Sequence, residues 1–236
     1  MLHERWPAAD ERTCRRARIC HVTAPALVIG STQRHIRASQ EPVAGLEVVR
    51  RLTGGGAVLV APGMQTWLDL WIPRPDPLFE DDVISSAFWV GELWSYALGL
   101  LGVRGATVHK GRASTGEWPK LLCFAGLGPG EVLVGGRKLS GLAQRRDRDG
   151  AWFHSVALGR WEPAPLLALL RATQLAESAP DHPRTPDHPQ TPDHPASAGT
   201  ETALHGRATG LCDLTGRDPG AAVSLMEAAL LAALSA

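Results

Sequence analysis

The residues best suited to chemistry fall in two short stretches. The first is Arg50-Arg51-Leu52-Thr53-Gly54-Gly55-Gly56-Ala57. Glycines carry no side chain, so their backbone N–H groups can come close to a carboxylate or phosphate. Arg50 and Arg51 could add charge-assisted hydrogen bonds to such an anion. The same residues also suit a plain tight turn between strands. The second stretch runs from Cys123 to Arg146 and holds one cysteine, one lysine and several small residues. A cysteine in an apolar segment is ordinarily buried and inert, and a lysine beside glycines is ordinarily a solvated turn residue. Ser140, Gly141 and Ala143 suit close sheet packing. His154 follows and could orient a substrate or move a proton, or simply be hydrogen-bonded in place.

A different cluster lies further on. Pro180-Asp-His-Pro183 recurs at Pro186–Pro189 and Pro192–Pro195. Three histidines and three aspartates invite a metal. A proline-rich tract would lose much conformational entropy in wrapping an ion, so a disordered insertion over 178–202 is expected and no metal. Cys14, Cys20, Cys123 and Cys212 form no Cys-x-x-Cys pair, which also disfavours structural zinc.

Elements must position these residues. The chain has 236 residues, 44% hydrophobic, 20% charged, with formal net charge zero. That suits one catalytic domain over 19–236 after a charged, poorly anchored start, 1–18. It gives no sign of a nucleic-acid partner. The absence of a leader-like run or a roughly 20-residue apolar span predicts a cytoplasmic protein with reduced thiols and no membrane contact. Strands are expected at Ile19–Ser31, Leu46–Arg50, Ala57–Val60, Gln65–Ile72, Leu121–Phe124, Val132–Val134, Leu139–Ala143 and Trp152–Leu158. The strands either side of the glycine triplet read as hairpin-like. Helices are expected over Asp81–Leu101, Pro165–Ala176 and Ala221–Leu234. The fold class is α+β: a mixed, mostly antiparallel sheet with helices packed on one face.

Taken together, the two stretches resemble a known family. Arg50-Arg51-Leu52-Thr53-Gly54-Gly55-Gly56-Ala57-Val58 and Gly136-Arg137-Lys138-Leu139-Ser140-Gly141-Leu142-Ala143-Gln144 are similar to the signature of the lipoate-protein ligase and octanoyltransferase superfamily, related in fold to biotin-protein ligases. The resemblance covers roughly 26–158. It implies transfer of a lipoyl or octanoyl group to a lysine of a carrier domain. Arg50, Arg51, Thr53, Gly54, Gly55, Gly56, Ala57, Gly136, Ser140, Gly141, Ala143 and His154 would then bind substrate. Lys138 matches the family's lysine, which contacts the acyl carbonyl and stabilises developing negative charge. One branch of the family carries its acyl-accepting cysteine in a Cys-Phe-x6-Glu segment, and Cys123, Phe124 and Glu131 follow that order and spacing.

The implied partners are lipoyl carrier domains of 2-oxoacid dehydrogenases or the glycine cleavage H protein, with acyl-carrier protein as donor. A transferase working through an acyl-enzyme at Cys123 needs no cofactor. A ligase working through an acyl-adenylate needs ATP and magnesium. Two features pull in opposite directions. The short stretch after His154 speaks against a full ATP-dependent ligase, whereas the glycine triplet is more ligase-like. Leu59, Val60 and Ala61 stand where many relatives continue with a residue and His-Asp, and Ser155 stands where glycine commonly follows the histidine. These losses put some substrate or nucleotide contacts in doubt and leave open a non-catalytic, acyl-binding relative.

Overall fold

The computed structural model describes residues 6–34, 36, 39–43, 45–177 and 198–236. The whole Pro-Asp-His-Pro repeat, 180–195, lies outside the described residues.

The first sheet is antiparallel, in the order β1 (Arg16–Ile19), β6 (Gln65–Pro73), β11 (Gly150–Leu158) and β10 (Ser140–Arg146). Its register sets the site. Arg18, Asp69, His154 and Ala143 stand opposite one another across the four strands, and Gly141, Val156 and Trp67 form the next row on the same face. On the other face, Leu68, Leu70, Ile72 and Phe153 pack against Trp94 and Leu98 of α1 (Phe88–Leu100) and Met226 and Leu230 of α6 (Pro219–Ser235). All nine residues of β6 are buried, because both faces are covered.

The second sheet is mixed, in the order β3 (Ser39–Val43), β4 (Leu46–Arg50), β2 (Ala26–Ile29) and β5 (Val58–Val60). It packs on Trp67, Val156 and Leu158 from the first sheet, and on Leu166 and Leu170 of α3 (Pro163–Glu177) and Leu204 of α4 (Ala198–His205). Here the structure corrects the hairpin-like reading. β4 and β5 do not pair; β2 lies between them, parallel to β4 and antiparallel to β5. The glycine triplet is therefore a crossing over the end of β2. A Cβ on Gly30 would lie 2.0 Å from the Gly55 carbonyl oxygen, so the crossing needs glycine beneath it.

A small third sheet joins β7 (Ala106–Val108), β8 (Val132–Val134) and β9 (Arg137–Lys138). Two short helices, α2 (Glu117–Leu121) and α5 (Leu211–Thr215), complete the elements. The architecture is α+β and mostly antiparallel, as the sequence indicates, with helices on both the first and second sheets.

Four segments differ from expectation. The strand expected at Leu121–Phe124 is the end of α2 followed by a 3-10 turn, Cys123–Ala125. Asp82 caps a separate turn through its bonds from the Ile84 and Ser85 amides, and α1 begins only at Phe88. The start of the chain is tied down where described. Arg12 pairs with Asp147 at 2.9 Å, its carbonyl accepts from the Trp71 indole, and residues 16–18 lie in β1. At the other end of the expected insertion, 198–202 open α4.

Candidate functional site

Lys138 ends β9, and its side chain turns inward rather than into solvent; it is 4% exposed. Its Nζ donates to the carbonyls of Cys123 (2.7 Å) and Gly126 (3.0 Å) and pairs with Glu131 Oε2 at 2.7 Å. Three acceptors match the three N–H groups of an ammonium. Glu131 is held in turn by the Gly128 amide on Oε2 (2.6 Å) and the Leu142 amide on Oε1 (3.0 Å). A buried ion pair tolerates its desolvation only when every remaining lone pair and proton is satisfied, and here they are. The backbone of Lys138 is fixed from the far side of the chain: its N–H donates to Arg207 O, and its carbonyl accepts from Thr209 N.

This clamp sets Cys123. The thiol is half-buried and reaches over β10, where a Cβ on Gly141 would lie 3.2 Å from Sγ and 3.8 Å from both Lys138 Cε and the Phe124 ring. Gly141 leaves the space that the sulfur fills. The glycine crossing approaches the same turn from the other side. Ala57 N donates to Leu121 O, Cys123 N donates to Ala57 O, and a Cβ on Gly56 would lie 2.5 Å from the Leu122 carbonyl carbon. Arg51 is buried under the crossing and donates to the carbonyls of Gly54 (2.7 Å) and Gly56 (3.0 Å). Burial lowers the pKa of its guanidinium, and the nearby Cys123 sulfur opposes that shift. A cation thus lies within electrostatic reach of the thiol.

The structure does not gather all the expected residues at this point. Arg50 donates to the carbonyls of Gly30, Gln33 and Ile36, so it organises the loop after β2. Thr53 is buried, and its Oγ1 has no hydrogen-bond partner. Gly54 lies against the Thr32 side chain, and Gly55 is exposed with φ +99°. Gly136 sits in the exposed turn between β8 and β9, where a Cβ would meet nothing within 4 Å. Ser140 accepts from Val132 N and faces away from Gly141 across β10. Ala143 shares the Gly141 face.

His154 lies on that face too, one row from Gly141. Its Nδ1 bonds Asp69 Oδ1, and the indoles of Trp67 and Trp152 pack against its ring at centroid distances of 5.9 and 4.1 Å. Asp69 also accepts from Trp67 Nε1 (2.9 Å), from Arg18 (2.9 and 3.1 Å) and from the Cys20 thiol (3.4 Å). Burial alone would raise the Asp69 pKa, but the bonds from His154 and Arg18 hold it below the usual carboxylate range. Burial and then the Asp69 charge push the Cys20 thiol up to about 12, so Cys20 acts as a neutral donor. The sequence singles out Glu131 only through the Cys-Phe-x6-Glu order, and it does not single out Asp69 or Arg18. The alternation Trp67-Leu68-Asp69-Leu70-Trp71 did carry a signal, since it sets a carboxylate between two indoles on one buried face.

Among the described residues no group of three or more His, Cys, Asp and Glu could hold a metal ion. Both guanidinia direct donors into backbone carbonyls, and β5 presents Val58, Leu59 and Val60 after the crossing. These residues fit a triphosphate with magnesium poorly. Among the described residues no helix is long and apolar enough to cross a membrane.

Comparison with known proteins adds to this geometry. Among solved structures the chain is similar to a lipoate-protein ligase A bound with ATP, at 16% identity and TM-score 0.58, covering 94% of this chain and 71% of that one. It is also similar to a bi-partite lipoate protein ligase from Thermoplasma acidophilum, studied with its E2 lipoyl domain, at 18% identity and TM-score 0.56, covering 94% and 70%. At these identities the likeness is one of fold. No curated protein matches the sequence. Residues 8–182, however, match the model of the lipoyl protein ligase A/B catalytic domain, and they contain the glycine crossing, Cys123, Lys138 and His154. The chain belongs to the lipoyl protein ligase A/B catalytic domain family.

Proposed function

We propose that the protein transfers a lipoyl or octanoyl group to a lysine of a lipoyl carrier domain through an acyl-enzyme at Cys123. One observation carries this reading: the thiol fills the space left by Gly141, beside the Lys138 clamp and within reach of the Arg51 charge. An inert core cysteine needs no such surroundings.

In this scheme the Cys123 thiolate attacks the thioester carbonyl of an acyl group on acyl-carrier protein. A carbon–sulfur bond forms, and the carbonyl electrons move to oxygen. Lys138 exchanges its contact with the Gly126 carbonyl, longer than the one to Cys123, for that oxyanion. Collapse expels the donor thiolate, which takes up a proton. The ε-amine of the carrier lysine then attacks the Cys123 thioester and releases the thiol. The neighbour described together with its E2 lipoyl domain supports a carrier of that class, and the H protein of glycine cleavage is the other candidate. No ATP enters the scheme.

Intact-mass analysis after incubation with octanoyl-acyl-carrier protein, without ATP, tests it. One added octanoyl group is expected on the wild type and none on Cys123→Ala. A Cys123→Ala protein that still modifies the carrier, and does so only with free lipoate and ATP, would establish an acyl-adenylate ligase instead.

A further inference from the structure

We propose that His154, positioned by Asp69, is the base that deprotonates the incoming carrier lysine; this rests on the acyl-enzyme reading above. His154 Nδ1 donates to Asp69, which fixes the tautomer and leaves the lone pair of a neutral imidazole on Nε2. His154 is 5% exposed, and Nε2 meets no partner in the protein. A buried ring nitrogen without a partner is costly unless a substrate group completes it.

The sheet register places this nitrogen relative to the thiol. Gly141, against which Cys123 Sγ rests, pairs with Val156, and Ala143 pairs with His154. His154 is thus a diagonal neighbour of Gly141 on one face, their Cα atoms roughly 7–8 Å apart. The imidazole and the sulfur that rests on Gly141 therefore share one face of β10 and β11, one row apart. Among the described residues the charged and titratable groups tied to the ring are Asp69 from β6, which bonds it, and Arg18 and Cys20, which bond Asp69; Arg145 stands on the same face of β10, two residues from Ala143. Arg18 donates two hydrogen bonds to Asp69 and offsets its charge.

The step balances. A proton passes from the lysine ammonium to Nε2 and on to solvent. The neutral amine attacks the thioester carbon, a carbon–nitrogen bond forms, the carbon–sulfur bond breaks, and the second proton leaves with the thiol. Asp69 touches no reacting atom and is a positioning residue.

The test separates the half-reactions. Wild type, His154→Gln and Asp69→Asn are each acylated with octanoyl-acyl-carrier protein, and the rate of Cys123 adduct formation is read by intact mass. A lipoyl carrier domain is then added and loss of the adduct is followed. Acylation within about threefold of wild type is expected in both variants, with transfer to the carrier slowed about 100-fold. Imidazole should restore transfer in His154→Ala but not in Asp69→Asn. Equal slowing of both half-reactions, or unchanged transfer in both variants, overturns the assignment while leaving the acyl-enzyme intact. No wild-type adduct at all overturns the acyl-enzyme reading and this assignment with it.

Discussion

At the scale of single residues, Lys138 and Glu131 form the part of the site with the most to lose. Their side chains are 4% and 6% exposed, and each completes the other's hydrogen bonding. Lys138→Met would strand a buried carboxylate and remove the donor shared by the Cys123 and Gly126 carbonyls. The expected cost is about 3–5 kcal/mol in urea unfolding, the range for breaking one side of a buried pair. Adding Glu131→Gln should recover at least about 1 kcal/mol, because the stranded charge is gone. Activity should stay lost in both, since neither has the Lys138 ammonium at the Cys123 turn. Equal stability of the single and double variants would show that the two charges do not interact. The place of Lys138 in a motif was legible from the sequence, but its burial was not. A lysine among glycines suggests a solvent turn, whereas Cys123, Phe124, Gly126 and Glu131 enclose it.

At the scale of elements, the site depends on backbones meeting at glycines. The crossing passes over Gly30, Gly56 touches the Leu122 backbone, and Gly141 admits the thiol. Gly141→Val should keep the β10–β11 ladder, whose pairing uses backbone groups, but displace Cys123 Sγ by more than an ångström. Acyl-enzyme formation should fall at least about 100-fold with little change in circular dichroism. Gly56→Ala places a Cβ 2.5 Å from backbone with no flexible side chain to yield, so lost folding stability is expected, seen as a lower Tm. Strand positions such as Leu46–Arg50 and Val132–Val134 could be read from their apolar runs, because a run needs only local chemistry. Strand partners could not. A strand, a glycine turn and a strand describe a hairpin equally well whether or not β2 lies between them. Leu121–Phe124 is apolar enough for a strand, yet the preceding turn begins at Gly116 with φ +120° and winds into α2.

At the scale of the whole molecule, distant segments meet in one polar core. Asp69 joins β1 through Arg18, β11 through His154 and its own strand through Trp67. Residues 69 and 154 are 85 apart in sequence, so no motif links them; the pairing follows from sheet register alone. The cost of burying this carboxylate is offset only while it is ionised. Burial pushes its pKa up, but the bonds from His154 and Arg18 bring it below the ordinary value of about 3.9. The unfolded chain therefore takes up this proton at a higher pH than the folded one. The Asp69 contribution is complete above the unfolded value and is lost as pH falls through the folded value. Asp147 is shifted in the same direction: burial raises its pKa, and Arg12 together with the Asp149 and Gly150 amides more than reverses that, so it adds to the acid loss. Asp69→Asn should lower stability at pH 7 by about 1–3 kcal/mol, because Arg18 and His154 lose their anion. It should also flatten the fall in Tm between pH 5 and about pH 3 relative to wild type. If the two proteins lose Tm in parallel over that window, Asp69 is not held ionised by its neighbours, and the polar core does not couple β1, β6 and β11 in the way the register indicates.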